Sequence, residues 1–103
     1  MAAKGYGQLT AAETDSVIGI SGAPIIIYYL ICRSDADGAA VIEVRDGNAT
    51  TNTLVDTINV AAASTTVRVD YGTNGLFLPS GCFLDVDGNT AQVTAVYEML
   101  RNA

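Results

Sequence analysis

Short apolar runs broken by turn residues recur along the whole chain, and most of them alternate with a period of two. Ala40–Arg45 sets Ala40, Ile42 and Val44 against Val41, Glu43 and Arg45. Thr65–Tyr71 sets Val67, Val69 and Tyr71 against Arg68 and Asp70, and Ala91–Met99 lines up Ala91, Val93, Ala95, Tyr97 and Met99. Such alternation is the signature of a half-buried strand. Val17–Ile20, Leu76–Leu78 and Cys82–Val86 are shorter runs of the same kind. Ala23–Cys32 is continuously apolar and rich in β-branched and aromatic residues, so it reads as a strand buried on both faces. Thr51–Val60 is weaker, because Asp56 interrupts it, which predicts a bulge or an edge position. Between the runs lie Ser21-Gly22-Ala23-Pro24, Asp35-Ala36-Asp37-Gly38, Asp46-Gly47-Asn48, Gly72-Thr73-Asn74-Gly75, Pro79-Ser80-Gly81 and Asp87-Gly88-Asn89. Asp-Gly and Asn-Gly suit tight turns, since Gly accepts the positive φ they need.

No stretch sustains a 3.6-residue period, and the sole helical candidate is one turn at Ala11–Asp15, capped by Thr10 with Glu13 following. The pattern predicts an all-β chain: a single small β-sandwich or jelly-roll-like barrel of seven or eight antiparallel strands. Residues 1–15 read as a short N-terminal arm and residues 16–103 as the sandwich. With 103 residues the chain suits one domain. Half the residues are apolar and 16% are charged, which excludes a disordered protein.

Charge and missing residue types narrow the function. The net charge of −6 argues against nucleic acid, which is bound through Lys and Arg on phosphates. The ten-residue run at Ala23–Cys32 is half of what a membrane helix needs, about 20 residues. No apolar segment follows Lys4, which predicts no secretory leader. Cys32 and Cys82 both lie in apolar runs and read as buried free thiols.

The chain has no His, the side chain most used for acid–base work near neutral pH, and its one lysine, Lys4, lies in the arm. No GxSxG elbow and no Gly-Lys-Ser phosphate loop is present. The expectation is therefore no enzyme and no cofactor. Asp35 and Asp37, and Asp85 and Asp87, space carboxylates as in the first half of a calcium loop, but each lacks the downstream Glu and each coincides with a turn. They are weak metal candidates. Surface for other proteins remains. Tyr6 and Leu9 stand out in the arm, while Val41, Val55 and Val96 lie opposite the assigned core positions. These five are candidate interface residues.

Ile42-Glu43-Val44-Arg45-Asp46-Gly47, a Thr/Asn-rich segment, then Gly81-Cys82-Phe83-Leu84-Asp85-Val86-Asp87-Gly88-Asn89 leading into Val93-Thr94-Ala95-Val96-Tyr97 resembles the small β-sandwich virion proteins of tailed bacteriophages. The likeness is greatest to short capsid decoration, or cement, proteins. It covers roughly residues 15–99 and consists of strand and turn signals, with no catalytic signature. The resemblance implies a structural protein made in the host cytoplasm that binds the major capsid protein on the outside of the shell and stabilises it. It also implies a homo-oligomer, with a trimer favoured. A head–tail, tail or fibre component is the alternative within the particle. A carbohydrate- or calcium-binding β module is the alternative from another class.

Overall fold

The computed structural model describes residues 4–10 and 15–100. Among them are nine strands: β1 (Lys4–Thr10), β2 (Asp15–Ile18), β3 (Ile25–Ser34), β4 (Ala40–Asp46), β5 (Thr53–Val60), β6 (Thr66–Asp70), β7 (Leu76–Leu78), β8 (Cys82–Val86) and β9 (Thr90–Met99). They form two antiparallel sheets. The larger has the order β1-β9-β3-β6, with β7 also paired to β3; the smaller has the order β2-β8-β4-β5. The fold class expected from the alternation, an all-β sandwich, is what the chain adopts.

The connectivity follows from one idea. β6 and β7 pair in succession with Arg33–Tyr29 and then Ile27–Ile25 of β3, so they are one edge strand interrupted by a turn. Counted that way, β1 pairs with β9, β2 with β8, β3 with β6/β7 and β4 with β5. The chain is a long antiparallel ribbon whose tip is the Asp46–Thr53 hairpin. The ribbon is wound so that β3 meets β9 and β4 meets β8. That is the winding of a jelly roll.

Apolar faces of the two sheets meet in the core. Ile25, Ile27, Leu30, Cys32, Val93 and Ala95 of the larger sheet face Ile42, Val44, Val60, Cys82, Leu84 and Val86 of the smaller. Gly72–Gly75 is the tight turn its sequence predicts, closed by Gly75 N–H donating to the Gly72 carbonyl at 3.2 Å. Gly75 has φ +72°, and a Cβ there would run into Ile26 Cγ2 and stand 3.0 Å from the Ile27 carbonyl. Glycine is required at this position.

Two expectations change, and a third falls mostly outside the described residues. Residues 4–10 are a strand of the chain's own larger sheet and not an arm apart from it, because β9 is long enough to pair with β3 on one side and β1 on the other. Residues 11–14, most of the helical candidate, lie outside the described residues, and Asp15 already belongs to β2. The apolar run in β3 is not buried on both faces. Ile25, Ile27, Leu30 and Cys32 are buried, but Ile26, Tyr28, Tyr29 and Ile31 are half-exposed, since among the described residues no third layer covers the larger sheet. Asp56 is correctly placed by the pattern: β5 is an edge strand, and a register shift leaves Val55 without a partner between Leu54 and Asp56.

Truncating Leu30, which is fully buried, should lower unfolding free energy by about 2–5 kcal/mol. Gly75→Ala should cost roughly 2 kcal/mol or more through its backbone conformation and the collision with Ile26. Urea titrations of Leu30→Ala and Gly75→Ala check both.

Candidate functional site

A bulge in β3 builds the most distinctive surface. Ile27 registers with Tyr97 and Tyr29 with Val96, so Tyr28 is an extra residue. Without it, strict alternation would send Tyr29 inward with Ile25 and Ile27. With it, Leu30 and Cys32 turn into the core, and the tyrosines turn to the outer face.

Cross-strand register then sets three rows on that face. Tyr6, Val96, Tyr29 and Asp70 form the middle row. Lys4, Glu98, Ile26 and Phe77 form the row on one side, and Gln8, Thr94, Ile31 and Arg68 the row on the other. Tyr6 is 70% exposed and Phe77 53%. Four of the seven aromatic residues (Tyr6, Tyr28, Tyr29 and Phe77) thus lie on one uncovered sheet face.

Polar contacts hold this face in shape. The Arg68 guanidinium lies 3.9 Å from the centroid of the Tyr29 ring, and its Nη2 is 3.5 Å from Asp70 Oδ2. Asp70 Oδ1 accepts from Gly72 N–H at 2.9 Å. Tyr28 donates its hydroxyl to Glu98 Oε1 at 2.7 Å, and that bond, then partial desolvation and the nearby charge, raise its pKa. Between the two tyrosines, Val96, Asp70, Gly72 and Thr73 an open depression holds about 500 Å³.

The outer face of the smaller sheet carries no exposed aromatic residue among those described. Asp15, Asp85 and Glu43 stand in one register row across β2, β8 and β4, with Thr57 next on β5. Arg45 Nη2 approaches Glu43 Oε1 at 3.4 Å, and its Nη1 donates to the Asn52 carbonyl at 3.0 Å. The larger sheet's outer face holds the exposed aromatic residues, whereas the smaller sheet's outer face mixes Asp85, Glu43 and Arg45 with exposed Val41 and Leu54.

The interface candidates divide between the two sheets. Tyr6 and Val96 are direct cross-strand partners, and Leu9 registers with Val93 on the same pair of strands. Val41 and Val55 belong to β4 and β5 of the smaller sheet, both exposed, Val55 at the bulge. Sequence reasoning missed Tyr28, Tyr29 and Phe77. Tyr28 and Tyr29 sit in an apolar run that reads as interior and reach the surface through the bulge, while Phe77 belongs to the separate short strand Leu76–Leu78.

The two aspartate loops do meet. Asp35 N–H donates to the Asn89 carbonyl at 2.7 Å, and Asn89 Nδ2 donates to the Ala39 carbonyl at 3.1 Å. Their carboxylates, however, serve the backbone. Asp35 Oδ1 accepts from Asp37 N–H at 2.8 Å. Asp87 accepts from Val41 N–H at 2.9 Å, and from Asn89 N–H and the buried Thr90 hydroxyl at 3.1 Å each. Asp37 is exposed, and Asp85 lies on β8 in register with Asp15 and Glu43. Among the described residues no group of three or more His, Cys, Asp or Glu is arranged to hold a metal ion.

Cys32 and Cys82 are free and buried, on different sheets. Burial above all, and then the charge of Asp56 or Asp46, pushes each thiol up to about 12. Tyr71 donates to Asp56 Oδ2 at 2.7 Å, joining the end of β6 to β5 across the edge of the sandwich. Burial, followed by that bond, raises its pKa as well. Among the described residues no helix is long and apolar enough to cross a membrane. No protein-family model matches the chain, and no curated protein matches it.

Asp87→Ala should cost about 1–3 kcal/mol, since it strips an acceptor from three donors, one of them buried. Denaturation with and without Ca²⁺ should give the same loss; a loss confined to Ca²⁺-containing buffer would point to an ion at these loops. The folded pKa values of Cys32, Cys82 and Tyr71 are raised, so their contribution is complete below the ordinary values of 9.0 and 10.0 and fades as pH climbs past them. The urea midpoint should hold steady from neutrality to about pH 9 and then fall. Tyr71→Phe should soften the part of the fall that starts near pH 10.

Proposed function

We propose that this protein is a structural component of a tailed-phage virion, a decoration protein that binds the major capsid protein on the outside of the shell and stabilises it. The observation that carries the reading is the uncovered aromatic face of the larger sheet. A lattice-stapling protein needs one surface suited to burial and another suited to water. Tyr, Phe and Arg are enriched where proteins bury surface against each other, and the larger sheet presents Tyr6, Tyr29, Phe77 and Arg68 together. The net charge of −6 keeps the free protein soluble and unattractive to packaged DNA. Stapling proceeds by buried area, typically about 1,200–2,000 Å² per stable contact, and the proposal invokes no reaction. Assembly as a homo-oligomer multiplies such contacts through effective concentration.

A second reading draws on the depression beside Tyr28 and Tyr29. Tyrosine rings with a carboxylate and a threonine at hand suit a carbohydrate, although Arg68 already covers one face of Tyr29.

Co-sedimentation with matching capsids tests the first reading. The protein should pellet with them, and Phe77→Asp should weaken binding at least about tenfold while leaving the fold intact, because Phe77 is half-exposed and outside the core. Imaged particles should show many copies over the shell; a small ring at one vertex would assign it to the head–tail junction instead. Failure to pellet, with saturable binding of an oligosaccharide that Asp70→Ala abolishes, would establish the second reading.

A further inference from the structure

Four strands form the edges of the two sheets, and three of them are blunted. β2 has only four residues and includes Asp15. β5 carries the register shift at Val55 beside Asp56. The β6–β7 edge is broken by the turn at residues 71–75 and bears Arg68 and Asp70. These are the devices by which sheet edges avoid other chains.

β1 is neither short, bulged nor broken, and its one charged residue, Lys4, stands at its first position. Its seven residues hold an unbroken register with β9 and contain no proline. Among the described residues nothing pairs with its other side. A row of unpaired N–H and C=O groups is a template for one more strand.

Charge selects the edge at which two copies can meet. Each copy carries −6, so two copies repel over most approaches. None of the eleven carboxylates falls within Lys4–Thr10, whose one charge is that of Lys4, whereas each of the other edges includes an aspartate. The β1 edge is where a second copy meets the least repulsion.

We propose that two copies associate by antiparallel pairing of their β1 strands about a two-fold axis, joining the two larger sheets into one. Full overlap sets Gly7 opposite the second copy's Gly7, Tyr6 opposite its Gln8 and Lys4 opposite its Thr10. The two lysines then lie at opposite ends of the ribbon. The two Tyr6 residues fall on the diagonal, roughly 7–8 Å apart, within reach of an aromatic contact. The row Tyr6–Val96–Tyr29 continues across the axis. One such edge per copy closes the assembly as a dimer and leaves no end for a fibre. A contact about 24 Å long is small, so the dimer is of modest affinity. It stands independently of the virion reading and differs from the threefold assembly that the resemblance implies.

Sedimentation of the full chain from about 10 μM to about 1 mM, with hydrogen exchange at both extremes, tests it. The mass should rise from 10.7 kDa toward twice that value, and β1 amides should slow only at high concentration. Tyr6→Asp places carboxylates on both sides of the axis and should raise the dissociation constant at least about tenfold, with circular dichroism unchanged. Should that variant fail to fold, exchange in the unaltered chain still decides. A monomer throughout, a threefold mass, or a dimer whose β1 amides stay unprotected would each overturn the proposal. Protection of β1 that appears only when capsids are added would also overturn it, since the strand would then pair with another protein.

Discussion

The β3 strand pairs on both sides, and everything else in the molecule is arranged around it. Ile25, Ile27, Leu30 and Cys32 anchor the core from this one strand, and each is fully buried. The extra residue at Tyr28 lets two inward pairs coexist that simple alternation would place on opposite faces. Full burial of an aliphatic side chain is worth about 1.5–3 kcal/mol, so a shift that turns Leu30 and Cys32 inward outweighs a lost ladder bond. The same shift delivers two adjacent tyrosines to the outside. Core and candidate surface are thus products of one bulge.

Polar groups then lock the ribbon where the strands cross between sheets. Ser34, buried at the end of β3, donates to the Ala62 carbonyl at 2.6 Å and accepts from Thr65 N–H at 2.9 Å. Asp87 gathers three donors where β8 passes into β9, and the Tyr71–Asp56 bond closes the long edge. Groups that would otherwise be orphaned at the ends of a thin sandwich are satisfied by neighbouring loops. This accounts for the aspartates at Asp35 and Asp87. Their spacing resembles half a calcium loop because Asx turns and calcium loops both present oxygens at short intervals along a bent chain.

The outer faces share the labour unequally. The smaller sheet sets Asp85 and Glu43 beside Arg45 and exposed aliphatics, while the larger sheet keeps Tyr6, Ile26, Ile31, Phe77 and Val96 beside Arg68 and Glu98. A monomer with a sizeable apolar face invites a partner. Here the face and the open β1 edge are contiguous through Tyr6.

Local sequence determined the strands, because alternation and Gly or Asp punctuation act over a few residues. Ala40–Asp46, Thr66–Asp70, Cys82–Val86 and Thr90–Met99 were all legible that way, as was the weakness of β5 at Asp56. Strand status for Lys4–Thr10 was not legible, since Gly5 and Gly7 have little strand propensity and the segment is held by the free side of β9. Of the five interface candidates, Tyr6, Val41 and Val55 are exposed, and how the five group depends on which sheet each strand joins. Tyr28, Tyr29 and Phe77 escaped it, because a bulge and an uncovered face are decided by packing between strands distant in sequence. Alternation says that a side chain points away from its neighbour; only the tertiary structure says whether anything waits on that side.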